Sequence, residues 1–122
     1  MDAPERQTFS RDERLKRRQD FRRCITRGRR SIGRFVVVYL APNKLGRTRL
    51  GAGSTARLGN AVQRNRQKRL VREAFRLAKH ELPRAVDLVV LPKVPWAEPP
   101  LDELKADLLD AAKRAADAAG PA

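Results

Sequence analysis

The sequence predicts an α+β fold in which helices pack against one mixed β-sheet. The chain has 122 residues, a length that suits a single domain with a modest core. Apolar residues recur at helical spacing in three segments, and runs of β-branched and aromatic residues lie between them. The resulting order of helix, strands, helix, strand and helix is typical of an α+β sandwich. No internal repeat and no second domain is visible.

The start of the chain predicts a basic arm followed by a short helix. Cations are dense just before the helix, and such runs are typical of arms that become ordered on a polyanion. We therefore assign residues 1–15 to a flexible arm and residues 16–119 to the domain. Phe21 and Ile25 then lie four residues apart, and Gly28 marks the end of a helix with one apolar face.

Two strands are expected next, joined as a hairpin. Residues 35–40 are rich in β-branched and aromatic side chains, which indicates a buried strand. Residues 47–55 read as its neighbour. The connection between them contains Asn43 and Gly46, and both residue types favour turns. We therefore expect these two strands to pair with each other.

The second half of the chain predicts a long helix, a strand and a final helix. Asn60 is a typical N-cap for a helix that runs to Pro83. Residues 86–91 predict a further strand. Leucines and alanines then recur at helical spacing from Leu101 to Ala115, and two acids in the first turn favour the helix dipole. This last helix is expected to serve as a packing element.

The net charge of +14 restricts the function most strongly. Such a charge places the chain among proteins that bind nucleic acid or an anionic membrane. The membrane interpretation is the weaker one, because no apolar run approaches the ~20 residues that span a bilayer, and no apolar signal segment opens the chain. We therefore expect a soluble cytoplasmic protein. One cysteine and one histidine cannot make an internal disulfide or a zinc site, so no protein-bound metal or cofactor is expected.

The charge is distributed unevenly along the chain. Residues 11–34 hold eleven cations against three acids, whereas residues 98–122 hold three cations against six acids. The predicted long helix carries six cations and one acid, Glu73, between Arg64 and Arg76. One acid cannot neutralise that helix face, so a partner must supply the missing negative charge. A polyanion with regularly spaced phosphates fits this requirement, since binding releases its condensed counterions.

This helix resembles the signature of a known family. Arg64-Asn65-Arg66, followed by Lys68-Arg69-Leu70 and Arg72-Glu73-Ala74-Phe75, is similar to the protein subunit of bacterial ribonuclease P. The resemblance covers roughly residues 11–115. Its further matches are Arg14-Leu15, Asp20-Phe21, Gly28-Arg29-Arg30, Arg49-Leu50-Gly51, His80-Glu81-Leu82-Pro83 and Asp87-Leu88-Val89-Val90.

The resemblance implies a fold and a division of labour. The implied fold is a two-layer α/β sandwich with a mixed four-stranded sheet, an architecture shared with a domain of a ribosomal protein. Two parallel strands would be joined through the basic helix by a left-handed crossover, against the usual right-handed preference. The implied function is that of the non-catalytic protein subunit of an endoribonuclease. Its partners would be the catalytic ribonuclease P RNA, which holds Mg²⁺ and removes the 5′ leader, and precursor tRNA. Alone, the protein is expected to be a monomer.

The resemblance also implies a basic surface that binds the RNA subunit. Arg64 and Arg66 would make forked phosphate contacts, and Asn65 would use its amide. An alternative role for Asn65 is that of a helix cap. Just before the signature, Ala56 departs from the family pattern and removes one phosphate contact, whereas Arg57 keeps another. The full predicted set is Arg57, Arg64, Asn65, Arg66, Lys68, Arg69, Arg72 and Arg76.

A second implied surface is a cleft between the first helix and the sheet, where the single-stranded leader stacks on aromatic rings. The residues predicted to line it are Phe21, Ile25, Val37 and Tyr39. Ile25 stands where many members have a second aromatic residue, so leader contact is expected to be weaker there. Core packing is an alternative for Phe21 and Tyr39. Val37 or Val38 could also face the cleft in place of Tyr39.

Two other functions fit the sequence less well. A nuclease needs clustered carboxylates or groups with tuned pKa values, and the acids here are scattered among cations. A ribosomal protein or a DNA-groove binder would also use basic helices. A groove reader, however, is expected to have a turn and a second helix ahead of its reading helix, and here a predicted strand precedes it.

Overall fold

The computed structural model describes residues 13–119, which form a four-stranded sheet and three α-helices. Short 3₁₀ turns at Ala56–Leu58 and Lys79–Glu81 flank the central helix. In chain order the elements are α1 (Arg18–Arg27), β1 (Arg29–Ile32), β2 (Val36–Pro42), β3 (Arg49–Ala52), α2 (Ala61–Ala78), β4 (Val86–Pro92) and α3 (Leu101–Ala119).

The sheet is mixed, with strand order β1-β2-β4-β3. β2 runs antiparallel to both β1 and β4, whereas β3 runs parallel to β4. Because α2 joins β3 to β4, the basic helix is the crossover of a parallel pair. The α+β class and the mixed four-stranded sheet are therefore confirmed. The left-handed sense of the crossover rests on the family resemblance.

The predicted hairpin between residues 35–40 and 47–55 is wrong. β2 pairs along its whole length with β4, from Val36 opposite Pro92 to Pro42 opposite Val86, and β3 pairs with β4 instead. The hairpin partner of β2 is β1, a strand that the sequence did not predict. Two apolar strands of seven residues each form a longer ladder in the sheet centre than the four residues of β3 could offer.

The core lies between one face of the sheet and the two long helices. Side chains from β2 and β4 meet α2 and α3 there, and Phe75 of α2 and Leu108 of α3 are each at most 1 % exposed. The apolar face predicted for α2 is confirmed at its buried positions. These are Val71, Ala74, Phe75 and Ala78, joined by Gln67. The opposite side of α2 is thereby directed away from the core.

Asn60 caps α2 as predicted. Its side-chain oxygen accepts a hydrogen bond from the backbone N–H of Gln63 at 2.9 Å, and the Gln63 side chain accepts one from the Asn60 N–H at 2.8 Å. This reciprocal capping box satisfies two donors that would otherwise lack partners. Asn65 lies a full turn inside the helix and is exposed, so the alternative of a capping role for Asn65 is wrong. α2 ends at Ala78, and a 3₁₀ turn replaces the last residues that we had included before Pro83.

A buried carboxylate on α3 holds the turn between β1 and β2. Asp107 accepts hydrogen bonds from the backbone N–H groups of Arg34 and Phe35 at 2.8 Å and of Val36 at 3.3 Å. A methyl group on Gly33 would lie 2.6 Å from this carboxylate, so the close approach requires glycine. α3 is therefore more than the packing element we predicted, since it also anchors the hairpin.

The end of the predicted N-terminal arm lies against the domain. The Leu15 N–H donates to the Leu50 carbonyl at 2.9 Å, and Glu13 forms an ion pair with Lys79 at 2.9 Å. Residues 13–15 thus pack beside β3, whereas we had placed them in a flexible arm. Residues 1–12 of that arm lie outside the described residues.

Candidate nucleic-acid interface

Three predicted RNA-binding cations form a row along α2. Arg64, Lys68 and Arg72 are spaced four residues apart, so they lie one above another on the helix surface, and all three are half-buried. We call this row the α2 stripe. Within residues 13–119, none of the three has a carboxylate partner, and neither does the exposed Arg69.

Arg72 of the α2 stripe is held in surroundings that disfavour positive charge. Burial lowers the pKa of Arg72, and the nearby charge of Arg14 lowers it further. The Nε atom of Arg64 is enclosed and has no hydrogen-bond partner among the described residues. A phosphate at this row would supply the missing negative charge. The stripe therefore combines positive charge that no described acid neutralises with one donor that no described acceptor satisfies.

Two other arginines of the helix, Arg66 and Arg76, are engaged within the chain. Arg66 makes a two-pronged ion pair with Glu98 at 2.7 and 2.8 Å, and the Arg76 Nε donates to Glu73 at 3.0 Å. These hydrogen bonds lower the pKa of both glutamates, so both acids are charged at neutral pH. We had expected Glu73 to be the only acid available to this helix. The loop after β4 supplies a second acid, which the local sequence of α2 could not reveal.

The segment between β3 and α2 is fastened to the helix by Gln67. The Ser54 hydroxyl donates to the Gln67 Oε1 at 2.9 Å, and the Gln67 Nε2 donates to the Leu58 carbonyl at 2.8 Å. The Ser54 hydroxyl hydrogen is therefore committed inside the protein. Arg57 stands exposed on the 3₁₀ turn of this segment, and Thr55 is exposed beside it.

The predicted cleft lies on the opposite face of the sheet from the core. α1 packs there across β2 and β4. Val37 and Tyr39 alternate with core residues along β2, so both point to the α1 side, and both are half-buried. Phe21 and Ile25 of α1 are half-buried as well. Val38, an alternative to Tyr39, is fully buried in the core, so that alternative is wrong.

Two glycines make room for the Phe21 ring. A methyl group on Gly51 would lie 2.8 Å from the ring, and one on Gly53 would lie 3.0 Å from it. Gly51 lies in β3 and Gly53 directly follows it, and the two face the same side because they are two residues apart. The ring therefore packs directly on a strand that has no side chains beneath it. We predicted Phe21 but not this glycine platform.

Buried groups under α1 connect the helix to the sheet. The Cys24 Sγ lies 3.4 Å from the carbonyl oxygens of both Tyr39 and Asp87. Burial, followed by the charge of Asp87, raises the pKa of this thiol to about 11. Arg49 makes two hydrogen bonds of 2.8 Å to Asp87 and lies 3.7 Å from Asp20. Arg49 thus links Asp20 of α1 to Asp87 of β4 at the base of the cleft.

Comparison with known proteins agrees with this arrangement. Residues 9–116 match the family model for Ribonuclease P. The chain belongs to the ribonuclease P protein family. It is 37% identical over 115 residues to the ribonuclease P protein component of Desulfovibrio desulfuricans, covering 91% of this chain and 88% of that one. It is 35% identical over 101 residues to that of Pelotomaculum thermopropionicum, covering 83% of this chain and 90% of that one.

A solved ribonuclease P protein has the same fold. The structure from Thermotoga maritima superposes with a TM-score of 0.74 at 32% identity, covering 84% of this chain and 96% of that one. The family resemblance inferred from the α2 signature is confirmed. Among the helices within residues 13–119, none is long and apolar enough to cross a membrane. The same residues contain no group of three His, Cys, Asp or Glu side chains placed to hold a metal ion.

Proposed function

We propose that this member of the ribonuclease P protein family binds the catalytic RNA of a cytoplasmic ribonucleoprotein and assists it in removing the 5′ leader from precursor tRNA. The observation that carries the proposal is the α2 stripe, in which half-buried cations lack acids among the described residues. Three cations in one row match the repeating charge of a nucleic-acid backbone. Asn65 and Arg69, exposed on the adjacent row, extend this surface.

The second part of the proposal concerns the leader. Support comes from four half-buried side chains on the α1 side of the sheet, whereas α2 packs on the other side. These side chains are Phe21, Ile25, Val37 and Tyr39. One molecule can therefore hold the RNA subunit with α2 and an unpaired strand with the cleft. Stacking on aromatic rings tolerates any base, which suits leaders of varied sequence.

The chemistry is assigned to the RNA subunit, with Mg²⁺ held through it. Several acids near the cations are already engaged in ion pairs, including Asp87 with Arg49 and Glu73 with Arg76. The protein, a monomer when alone, would act by offsetting repulsion between the RNA subunit and precursor tRNA. Both RNAs are polyanions that divalent ions otherwise have to screen.

Cleavage assays test this assignment. The chain freed of RNA by nuclease treatment is expected to leave precursor tRNA intact in the presence of magnesium. Added to a bacterial ribonuclease P RNA, it is expected to restore accurate leader removal at a magnesium concentration too low for the RNA alone. Cleavage by the RNA-free protein would overturn the proposal. Tight RNA binding without any stimulation would favour another RNA-binding role, such as that of a ribosomal protein.

Variants of α1 test the leader cleft. Phe21→Ala is expected to weaken binding of leader-bearing precursor tRNA to the holoenzyme by about 1 kcal/mol, because one stacked base loses its ring. Mature tRNA should bind unchanged. Ile25→Phe, which adds a ring one helical turn later, should strengthen binding of the same precursor. The affinities of the holoenzyme for both tRNAs are measured. Equal weakening of precursor and mature tRNA binding by Phe21→Ala would contradict leader binding in the cleft.

A further inference from the structure

A pocket of about 490 Å³ borders the predicted RNA-binding surface and shares Arg57 and Arg66 with it. It is enclosed by the 3₁₀ turn at Ala56–Leu58, the first half of α2 and residues 94–98 of the loop before α3. We propose that this pocket binds one unpaired nucleotide of RNA, with the base against Trp96 and the phosphate held by Arg57 and Arg66. The proposal rests on the RNA-binding function proposed above and adds to it a site for one base at Trp96.

The wall of the pocket offers a fixed aromatic surface. Trp96 is half-buried and packs against the edge of the core, while it also lines the pocket. Leu58, Val94 and Pro95 complete the apolar part of the lining. A ring held in place in this way can stack on a base without first losing side-chain freedom. The volume lies within the range of small-ligand pockets and is sufficient for a nucleotide.

The rim of the pocket offers positive charge. Arg57 is exposed and has no carboxylate partner among the residues that the structure describes. Arg66 follows the α2 stripe residue Arg64 by two positions, so it lies on the opposite side of the helix, and the rim forms a contact separate from the stripe. Guanidinium groups make paired hydrogen bonds to phosphate oxygens. The pocket thus offers an aromatic ring for stacking and two arginines for phosphate contacts, and single-stranded RNA is bound by both kinds of contact.

Glu98 accepts the hydrogen bonds of Arg66 that the phosphate would accept in the proposed complex. It holds the Arg66 guanidinium through both carboxylate oxygens, and both side chains are well exposed. Ion pairs exposed to this degree are weak and screened by salt, so a phosphate can displace the carboxylate. While Glu98 remains charged, however, it competes with the incoming phosphate. Removal of this charge should therefore strengthen RNA binding at the pocket.

The protein contains one tryptophan, so its fluorescence reports on this pocket alone. The probe is a short, end-labelled single-stranded oligouridine, whose total binding is followed by anisotropy while Trp96 emission is recorded. Saturable quenching with the same midpoint as the anisotropy change is expected. Arg57→Gln should shift both midpoints to higher RNA concentration by several-fold.

Glu98→Gln has a matched control in Asp110→Asn. Asp110 forms a comparably exposed ion pair with Arg114 on α3, so both substitutions remove one negative charge from such a pair. Glu98→Gln is expected to tighten oligouridine binding several-fold, whereas Asp110→Asn should change it much less. Equal tightening by both variants would overturn the role of Glu98 as a competing anion.

Two fluorescence results separate this proposal from the function on which it rests. Anisotropy that reports binding while Trp96 emission stays constant would overturn the pocket and leave RNA binding by the chain intact. No anisotropy change with either oligouridine or a ribonuclease P RNA would overturn RNA binding itself.

Discussion

Replacing Arg64, Lys68 and Arg72 together by Gln is expected to lower affinity for the RNA subunit on the order of a hundredfold at moderate salt. These three side chains form the α2 stripe and have no carboxylate partner among residues 13–119, so phosphates are their proposed partners. When a phosphate contact is lost, fewer counterions are released from the RNA on binding. The plot of log K against log salt should therefore flatten by about two to three units.

A control triple in α3 separates contact from net charge. Lys105→Gln, Lys113→Gln and Arg114→Gln remove the same number of charges from the acidic end of the chain. Filter-binding titrations at several salt concentrations should show a nearly unchanged slope for this protein. If both triple variants flattened the salt dependence equally, overall charge and not the α2 stripe would account for RNA binding.

Replacement of Asp107 by Ala is expected to lower the free energy of unfolding by about 3 kcal/mol. The change removes one buried carboxylate, and the N–H groups of Arg34, Phe35 and Val36 lose their acceptor together. These donors lie at the turn between β1 and β2, so the hairpin should loosen from α3. Urea unfolding followed by circular dichroism measures the loss.

The exposed Asp110 on the same helix provides the reference for this experiment. Asp110→Ala breaks a surface ion pair with Arg114, which should cost less than about 1 kcal/mol. A common unfolding midpoint for Asp107→Ala and Asp110→Ala would show that the buried carboxylate contributes nothing beyond its charge. RNA binding by the folded fraction of Asp107→Ala should persist, since the α2 stripe lies on another helix.

Local patterns were sufficient to predict most of the elements. The cap at Asn60, the helix end at Gly28 and the apolar face through Phe75 all depend on neighbours within a few residues, and the structure has each of them. Helical spacing put Phe21 on the apolar face of α1, and the family resemblance placed that face beside the sheet. Such features can be predicted because the interactions that produce them are short in sequence.

Strand pairing and long-range polar contacts could not be predicted in this way. Asn43 and Gly46 signal a turn, but a turn signal does not say which strands it joins, and β3 bypasses β2 to reach β4. β1 begins with Arg29 and Arg30 at the sheet edge and buries only Ser31, so it lacks an apolar alternation. Asp107 meets its three partners across more than seventy residues.

The same limit applies to the candidate site. The composition of α2 indicates a basic face, but it does not distinguish the arginines that have carboxylate partners from those that have none. Glu98 lies 32 residues beyond Arg66, and only the folded chain brings them together. Gly51 and Gly53 likewise read as weak strand residues until the Phe21 ring is seen against them.

The two hydrogen bonds of Gln67 have a mechanical consequence. Through Ser54 and Leu58 they tie the segment after β3 to α2, and the glycines on which Phe21 rests lie in β3 and directly after it. This connection links the platform under Phe21 to the helix that carries the α2 stripe. A strand held in the cleft would then enter the complex at a set distance from the RNA held by the helix. The Gln67 amide would therefore help to fix the distance between the two RNA-binding surfaces.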